Sequence, residues 1–427
     1  MFKRFAIGLA ALIVLGFTGF TAFAWRPVIA PVAVPPSSQF TPELVGKGEV
    51  LAAAGNCASC HSPIGGKSFA GGYAIKTGFG TIYSSNITPD AKTGIGTWTE
   101  AAFSRAMRQG VAANGSQLYP AFPYDHFTKL SDGDVSALYA YVMTRPPVDA
   151  VVPINELSFP FNIRALQAGW KLLFFKSGPL ESQPMHDADW NRGAYLAEGI
   201  AHCGACHTPR NKVGAEINSK SYAGGLLDGR PVPALTKANF SPVPWSQDEL
   251  FAYLRTGTST YHGRASGPMA GVVRDGLSKL PDADIKALSV YFADIGDTTS
   301  RIDEMKVAIK RAQNADALDL TRQDDDARLY RSACGSCHYN DGKFSAANRP
   351  DLALVADINA PDPDRVIKTV LFGRGSEMPA FGVGLKDADV AHILAYLRAS
   401  RTASPPWTDL ESRVAKVRAT GMINASK

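Results

Sequence analysis

Residues 57–61 read Cys-Ala-Ser-Cys-His, residues 203–207 Cys-Gly-Ala-Cys-His and residues 334–338 Cys-Gly-Ser-Cys-His. Two cysteines three apart on a helical turn present their thiols to one face, and the next residue sets an imidazole beside them. That spacing is the attachment pattern of a c-type haem, in which the thiols bond the porphyrin and the histidine becomes the proximal iron ligand. The chain has six cysteines, and Cys57, Cys60, Cys203, Cys206, Cys334 and Cys337 all fall in these motifs. None remains for a disulfide or a nucleophile. A structural zinc site pairs two Cys-x-x-Cys motifs around one ion, whereas these stand well over a hundred residues apart. A thioredoxin-like pair has no use for the histidine. The motifs predict three covalently bound haem c groups, with His61, His207 and His338 as iron ligands, in a chain that carries electrons.

Around each motif the chain repeats itself. In the first unit GKGEVLAAAGNCASCH (Gly46–His61) delivers the motif on a helix, and a Gly-rich segment follows whose turn residues point to loops or short hairpins. Trp98-Thr99-Glu100 then opens a helix that runs to Gly110, with Thr99 as its N-cap. SDGDVSALYAYVM (Ser131–Met143) closes the unit, its Val135, Leu138, Tyr139 and Val142 at helical spacing. The second unit runs NRGAYLAEGIAHCGACH, YAGGLLDG, WSQDELFAYLRTG, PDADIKALSVYF, with Trp245 matching Trp98. The third is shorter: DARLYRSACGSCH, DPDRVIKTVLFGRGSEMPAFG, KDADVAHILAYLRAS. The pattern predicts an all-α fold of three tandem cytochrome c domains behind an N-terminal transmembrane helix. Each domain gains from its haem the apolar surface that so short a chain lacks. The boundaries read as an anchor or signal over 1–26, a Pro-rich linker over 27–45 and domain I over 46–150. An apolar connector over 151–185 leads to domain II over 186–297. A linker over 298–326, solvated or helical, precedes domain III over 327–402 and a tail over 403–427.

A six-coordinate electron-transfer haem needs a second axial ligand, commonly methionine. Met269, in SGPMAGVV, stands 62 residues after His207, and Met378, in SEMPAF, 40 after His338. Both lie in Gly/Pro-rich loops before a closing helix. The first unit breaks the pattern, because Phe122 in YPAFPYDHF occupies the corresponding place and phenylalanine cannot ligate iron. His126 is the nearest alternative and would make a bis-histidine haem. Met107, Met143 or an open iron are the other possibilities. His202 reads as lining a haem rim, and His186, His262 and His392 as surface or packing residues.

Lys3 and Arg4 precede an apolar run from Phe5 to Trp25, followed by Arg26 and by prolines 27, 31, 35 and 36. A signal-peptide core is about 7–15 residues long and a spanning helix about 20, so the run reads as a membrane anchor. Ala22-Phe23-Ala24 would instead suit signal peptidase. Either way the haem domains are expected outside the cytoplasm, because Lys3 and Arg4 hold the short N-terminus inside; with the anchor retained they sit at the inner (cytoplasmic) membrane, facing the periplasm. A net charge of +5 without a Lys/Arg cluster excludes a nucleic-acid partner. FPFNIRALQAGWKLLFF (Phe159–Phe175) reads either as a helix packed between haem domains or as a patch resting on a bilayer or a partner.

From about Gly46 to Ser400 the chain resembles the tri-haem cytochrome c subunits of bacterial membrane-bound periplasmic dehydrogenases, in AGNCASCH, FGTIYSSNITPD, TGIGTW, LYPAFPYDHF and LYAYV. The resemblance implies a separate dehydrogenase catalytic subunit as electron donor, ubiquinone or a terminal oxidase as acceptor, and the membrane as a partner. Catalytic partners in that family are quinoprotein alcohol dehydrogenases, flavin-dependent polyol and gluconate dehydrogenases, and molybdenum hydroxylases of aldehydes or N-heterocycles. AFPYDHFT, NELSFPFNIRALQAGWKLLFF and AWRP are most similar to the subunits that serve molybdenum hydroxylases, pointing to an aldehyde dehydrogenase of that type. The family has methionine where Phe122 stands, so that ligand does not carry over. A self-sufficient haem peroxidase or a gas sensor, with open iron at His61, is the reading from another class, and three haems argue instead for a wire. No catalytic site is expected in the chain itself. Gly-x-Gly occurrences such as those at 78–80, 94–96, 373–375 and 382–384 lack the third glycine of a dinucleotide fingerprint.

Overall fold

The computed structural model describes residues 2–227, 230–339, 349–374 and 378–425. Met1 of the expected anchor, residues 228–229 of YAGGLLDG, residues 340–348 and 375–377 of the third unit, and the last two residues of the tail lie outside the described residues. The chain divides into two compact units. The first comprises Met1–Ser221, Leu226–Arg230 and Asp275–Asp284, and the second Tyr222–Gly225, Pro231–Arg274 and Ile285–Lys427.

In the first unit the apolar run forms helix α1 (Phe2–Ala24). Among the described residues, however, no helix is long and apolar enough to cross a membrane, which corrects the expected transmembrane anchor. Gly8, Gly16, Thr18, Gly19 and Thr21 dilute the apolar character of the run. Its last turn is also engaged by protein: Ala24 is buried, and its carbonyl accepts a hydrogen bond from Gln117 Nε2 at 2.9 Å.

Helix α2 (Pro42–Ala54) starts where the Thr41 side chain accepts from the Leu44 amide, with proline in its first turn. The short α3 (Cys57–His61) follows after Asn56, whose left-handed φ of 49° turns the chain. The Gly-rich segment then makes a hairpin, β1 (Ala74–Thr77) and β2 (Gly80–Tyr83), with Ile75 opposite Ile82. Helix α4 (Glu100–Gln109) is capped by the Thr99 side chain and ended by Gly110 at φ 62°. After α5 (Tyr124–Phe127), α6 (Asp132–Met143) opens on a Ser131 cap and buries Val135, Leu138, Tyr139 and Val142. Helices α2 and α6 cross so closely that a Cβ on Gly48 would lie 2.0 Å from the Ala137 carbonyl oxygen. Only glycine fits that crossing.

β3 (Glu156–Leu157), from the connector, adds a third antiparallel strand to β2. The all-α expectation is therefore corrected: this small sheet, and further short strands such as β4 (Gly225–Leu227) and β5 (Arg230–Val232), accompany the helices. Glycines and alternating side chains over residues 72–83 favour a hairpin, and segments so short carry no helical period. The connector's helix α7 (Leu166–Phe174) buries Gln167 and Ala168 but leaves Leu172 and Leu173 exposed. Its Lys171 Nζ donates to the Gln109 and Gly110 carbonyls at the C-terminus of α4, at 2.6 and 2.7 Å, where positive charge is favoured. Helix α8 (Ala188–Glu198), capped by Asp187, leads to α9 (Gly204–His207).

The second unit holds α10 (Gln247–Thr256), capped by Ser246, the strand pair β6 (Thr258–Ser259) and β7 (Gly263–Arg264), and α11 (Pro268–Gly271). Most of α12 (Asp282–Ile295) belongs here too. Trp245 stacks on His262 with ring centroids 3.6 Å apart. Much of the segment read as a linker is α13 (Ile302–Thr321), whose Ala308 and Ala312 are buried with Val243 and Leu354. Helix α14 (Asp325–Tyr330) precedes the third motif and α15 (Ser336–His338). Helices α16 (Ala356–Asn359), α17 (Asp364–Phe372) and α18 (Asp387–Arg401) complete the domain. The tail adds α19 (Leu410–Ala425), which sinks Val414 and Val417 into the same core as Ile367 and Leu394.

Candidate haem-attachment sites

None of the six motif cysteines is in a disulfide. At the first site α3 places Cys57 and Cys60 one turn apart. Burial, with Cys60 beside it, pushes the Cys57 thiol up to about 12, and burial raises Cys60 as well. His61 Nδ1 lies 2.8 Å from the Ser85 carbonyl oxygen. As the donor in that bond, Nδ1 carries the proton and leaves Nε2 with its lone pair for iron, the arrangement by which a carbonyl orients a metal-binding imidazole. Burial lowers the His61 pKa, which keeps the ring neutral and able to ligate.

The second motif sits on α9, with Cys203 at its N-cap. Burial, then Glu198 and Cys206, push the Cys203 thiol up to about 12. His207 belongs to the first unit and Met269, on α11, to the second. At the third motif burial, then Cys337, push the Cys334 thiol up to about 11. His338 Nδ1 faces the Pro350 carbonyl at 3.4 Å, and burial lowers its pKa. Cys334 and Met378 pack against one apolar cluster, so the structure brings the third motif and its expected second ligand to the same core. Paired thiols in every motif, and imidazoles oriented through Nδ1 by backbone carbonyls at the first and third, together fit haem c. The group would supply one-electron redox chemistry at each motif.

His126 is held differently from a free ligand. It is 4% exposed. Its Nδ1 pairs with the Glu198 carbonyl at 2.9 Å and its Nε2 with Glu216 Oε1 at 3.0 Å. Arg210 reaches the same Glu216 oxygen at 3.3 Å. Burial alone would lower His126, but the hydrogen bond and charge of Glu216 outweigh it and raise the pKa. Burial would raise Glu216, and His126 with Arg210 lower it instead. Asp125 joins the group, the three side chains offering donor atoms within 4.8 Å of one another. Phe122 packs edge-on against Phe127 at 5.4 Å. Met107 and Met143 are buried core residues of α4 and α6.

Sequence reading did not single out Ser85 and Pro350, which act through backbone carbonyls without a side-chain signature. It also passed over Glu216, whose partner lies 90 residues away.

The sequence pattern of the cytochrome c family matches residues 45–146, and that of cytochrome C oxidase, cbb3-type, subunit III matches residues 322–397. The chain is 40% identical over 396 residues to the fructose dehydrogenase cytochrome subunit of Gluconobacter japonicus, covering 86% of this chain and 81% of that one. It therefore belongs to the cytochrome c subunits of dehydrogenases. It is also 43% identical over 410 residues to a nicotinate dehydrogenase subunit of Pseudomonas putida, over 93% of this chain but only 34% of that longer relative. The alcohol dehydrogenase (quinone) cytochrome c subunit of Gluconobacter oxydans is 32% identical over 405 residues, covering 88% and 83% of the two chains. Covalently bound haem c and electron transfer from a catalytic subunit are the properties of this family. The resemblance read from the motifs is thereby borne out.

Proposed function

We propose that the chain carries three haems c and relays electrons from a separate dehydrogenase, of the molybdenum-hydroxylase type, to ubiquinone or a terminal oxidase. The observation that carries this reading is the threefold motif, which takes up all six cysteines with none in a disulfide, two of its histidines facing backbone carbonyls through Nδ1. The cysteines tether the groups, and His61, His207 and His338 ligate from one side. Met269 and Met378 are the second ligands of the second and third sites. Both His126 nitrogens are engaged, so this histidine serves the protein scaffold.

Support for the partner class is the 43% likeness to a subunit of nicotinate dehydrogenase, an enzyme named for an N-heterocyclic substrate. The likeness to fructose and quinone-linked alcohol dehydrogenase subunits favours a flavin or quinoprotein partner as the second reading. The motif chemistry favours the periplasmic side of the inner membrane, and exposed Leu172 and Leu173 on α7 offer an apolar contact for a membrane or partner surface. Pyridine haemochrome analysis of the matured protein is expected to give three haems per chain, and two or fewer would refute the reading. Co-purification with the native catalytic subunit is expected to bring down molybdenum, whereas bound flavin or a quinone cofactor would decide for the second reading.

A further inference from the structure

The residues just before the first two motifs, Asn56 and His202, both have left-handed backbones, at φ 49° and 37°. Asparagine and histidine are among the non-glycine residues that enter that region most, but it is uncommon for both, and a backbone of this kind persists only where the surroundings over-determine it. Here the surroundings are the other motif. His202 Nε2 lies 3.2 Å from the Gly55 carbonyl oxygen, two residues before Cys57, while His202 itself adjoins Cys203. Gly55 is near enough to the second motif's approach that a Cβ there would lie 3.0 Å from Ile200 Cδ1 and 3.4 Å from Cys57 Sγ. The His202 ring is steadied by an edge contact to Phe127 at 5.7 Å and lies 6.3 Å from the His126 ring. On the far side, a Cβ on Gly204 would lie 3.0 Å from His126 Cε1 and 3.2 Å from Glu216 Oε2, so the spacer of the second motif must be small for His126 to seat.

We propose that His202 is a positioning residue, a clasp that fixes the attachment turn at Cys57 against the attachment turn at Cys203 and so sets the separation that electrons cross between the first two sites. Its side chain completes a short link between the two turns: Cys57, Asn56, the Gly55 carbonyl, the His202 ring, Cys203. This inference rests on the reading that both turns carry haem.

The test uses full-length holoprotein whose haems have first been counted. His202→Gly removes the imidazole and accepts the left-handed backbone without strain. His202→Gln restores a donor of similar reach. Two quantities are read: hydrogen exchange over residues 51–57, and the rate of electron redistribution after photochemical one-electron reduction, with midpoint potentials as the control. His202→Gly is expected to exchange about fivefold faster in that segment, the Boltzmann factor of one hydrogen bond. It should redistribute electrons more slowly at unchanged potentials, and His202→Gln should recover part of both. If His202→Gly fails to mature, the same two readouts on His202→Gln against wild type decide, with intermediate values expected. Wild-type exchange and redistribution in a variant with all three haems would overturn the clasp alone. A wild-type protein without haem at residues 203–207 would overturn the three-haem reading and the clasp with it.

Discussion

Replacing Glu216 with glutamine keeps the shape of the His126 contact and removes its charge. The contact is short and shielded, at 3.0 Å with side-chain exposures of 5% and 12%, so solvent screens it little. A hydrogen bond between charged groups contributes about 1.5–3 kcal/mol against about 1 for a neutral one, which puts the loss at about 0.5–2 kcal/mol. The pH dependence follows from the two shifts. His126 is raised above its ordinary 6.5, so its contribution is complete below that value and fades as pH rises through the folded pKa. Glu216 is lowered below its ordinary 4.5, so its contribution is complete above that value and fades as pH falls through the folded pKa. The pair therefore stabilises most between about pH 4.5 and 6.5. In urea unfolding of the holoprotein at pH 6, Glu216→Gln should lower the midpoint by about 0.3–1 M, given a typical slope of ~2 kcal/mol/M. At pH 9, further along the rise that strips the His126 proton, the difference should be smaller, leaving the more exposed Arg210 contact. An equal loss at both pH values would refute a charged His126–Glu216 pair.

Because Nε2 of His126 already faces Glu216, His126→Ala should leave the haem spectra and the redox titration unchanged. One haem in three turning high-spin and binding carbon monoxide would show that this histidine ligates iron. Gly48→Ala should lower the melting temperature through an overpacking cost of about 1–3 kcal/mol, since its Cβ would lie 2.0 Å from the Ala137 oxygen and 2.7 Å from Tyr141 Cβ. An unchanged melt would mean that α2 and α6 are free to move apart.

What was legible in the chain is what depends on neighbours in sequence. The Thr99 cap, the Gly110 stop and the buried face of the helix ending at Met143 involve residues within a few positions, and each stands where local chemistry puts it. The third strand of the small sheet was not legible, because Glu156 pairs with Thr81 from a distant connector and only two residues take part. Composition likewise marks residues 5–25 as apolar, but it cannot say that Ala24 hydrogen-bonds Gln117. His202 did leave a signal. It takes the place in AHC that Asn56 takes in GNC, and asparagine before a motif suggests a left-handed turn at both.

The exception at Phe122 becomes intelligible on the same terms. Trp98 and Trp245, Gly110 and Gly257, and Phe122 and Met269 are each 147 residues apart, so Phe122 does stand at the place of the second-site methionine. A repeat unit standing alone would have no use for a phenylalanine there. In this chain the loop that carries it is not alone: Phe122 packs on Phe127, Phe127 on His202, and His126 is bonded to the Glu198 carbonyl and to Glu216. These partners flank the second motif. The loop that carries Phe122 packs instead around the second motif, whereas the corresponding loops of the other repeats carry Met269 and Met378, the proposed second ligands. Substituting methionine at Phe122 would restore a sulfur but remove a ring from that packing, which is a reason for the departure from the family pattern that the motif alone could not supply.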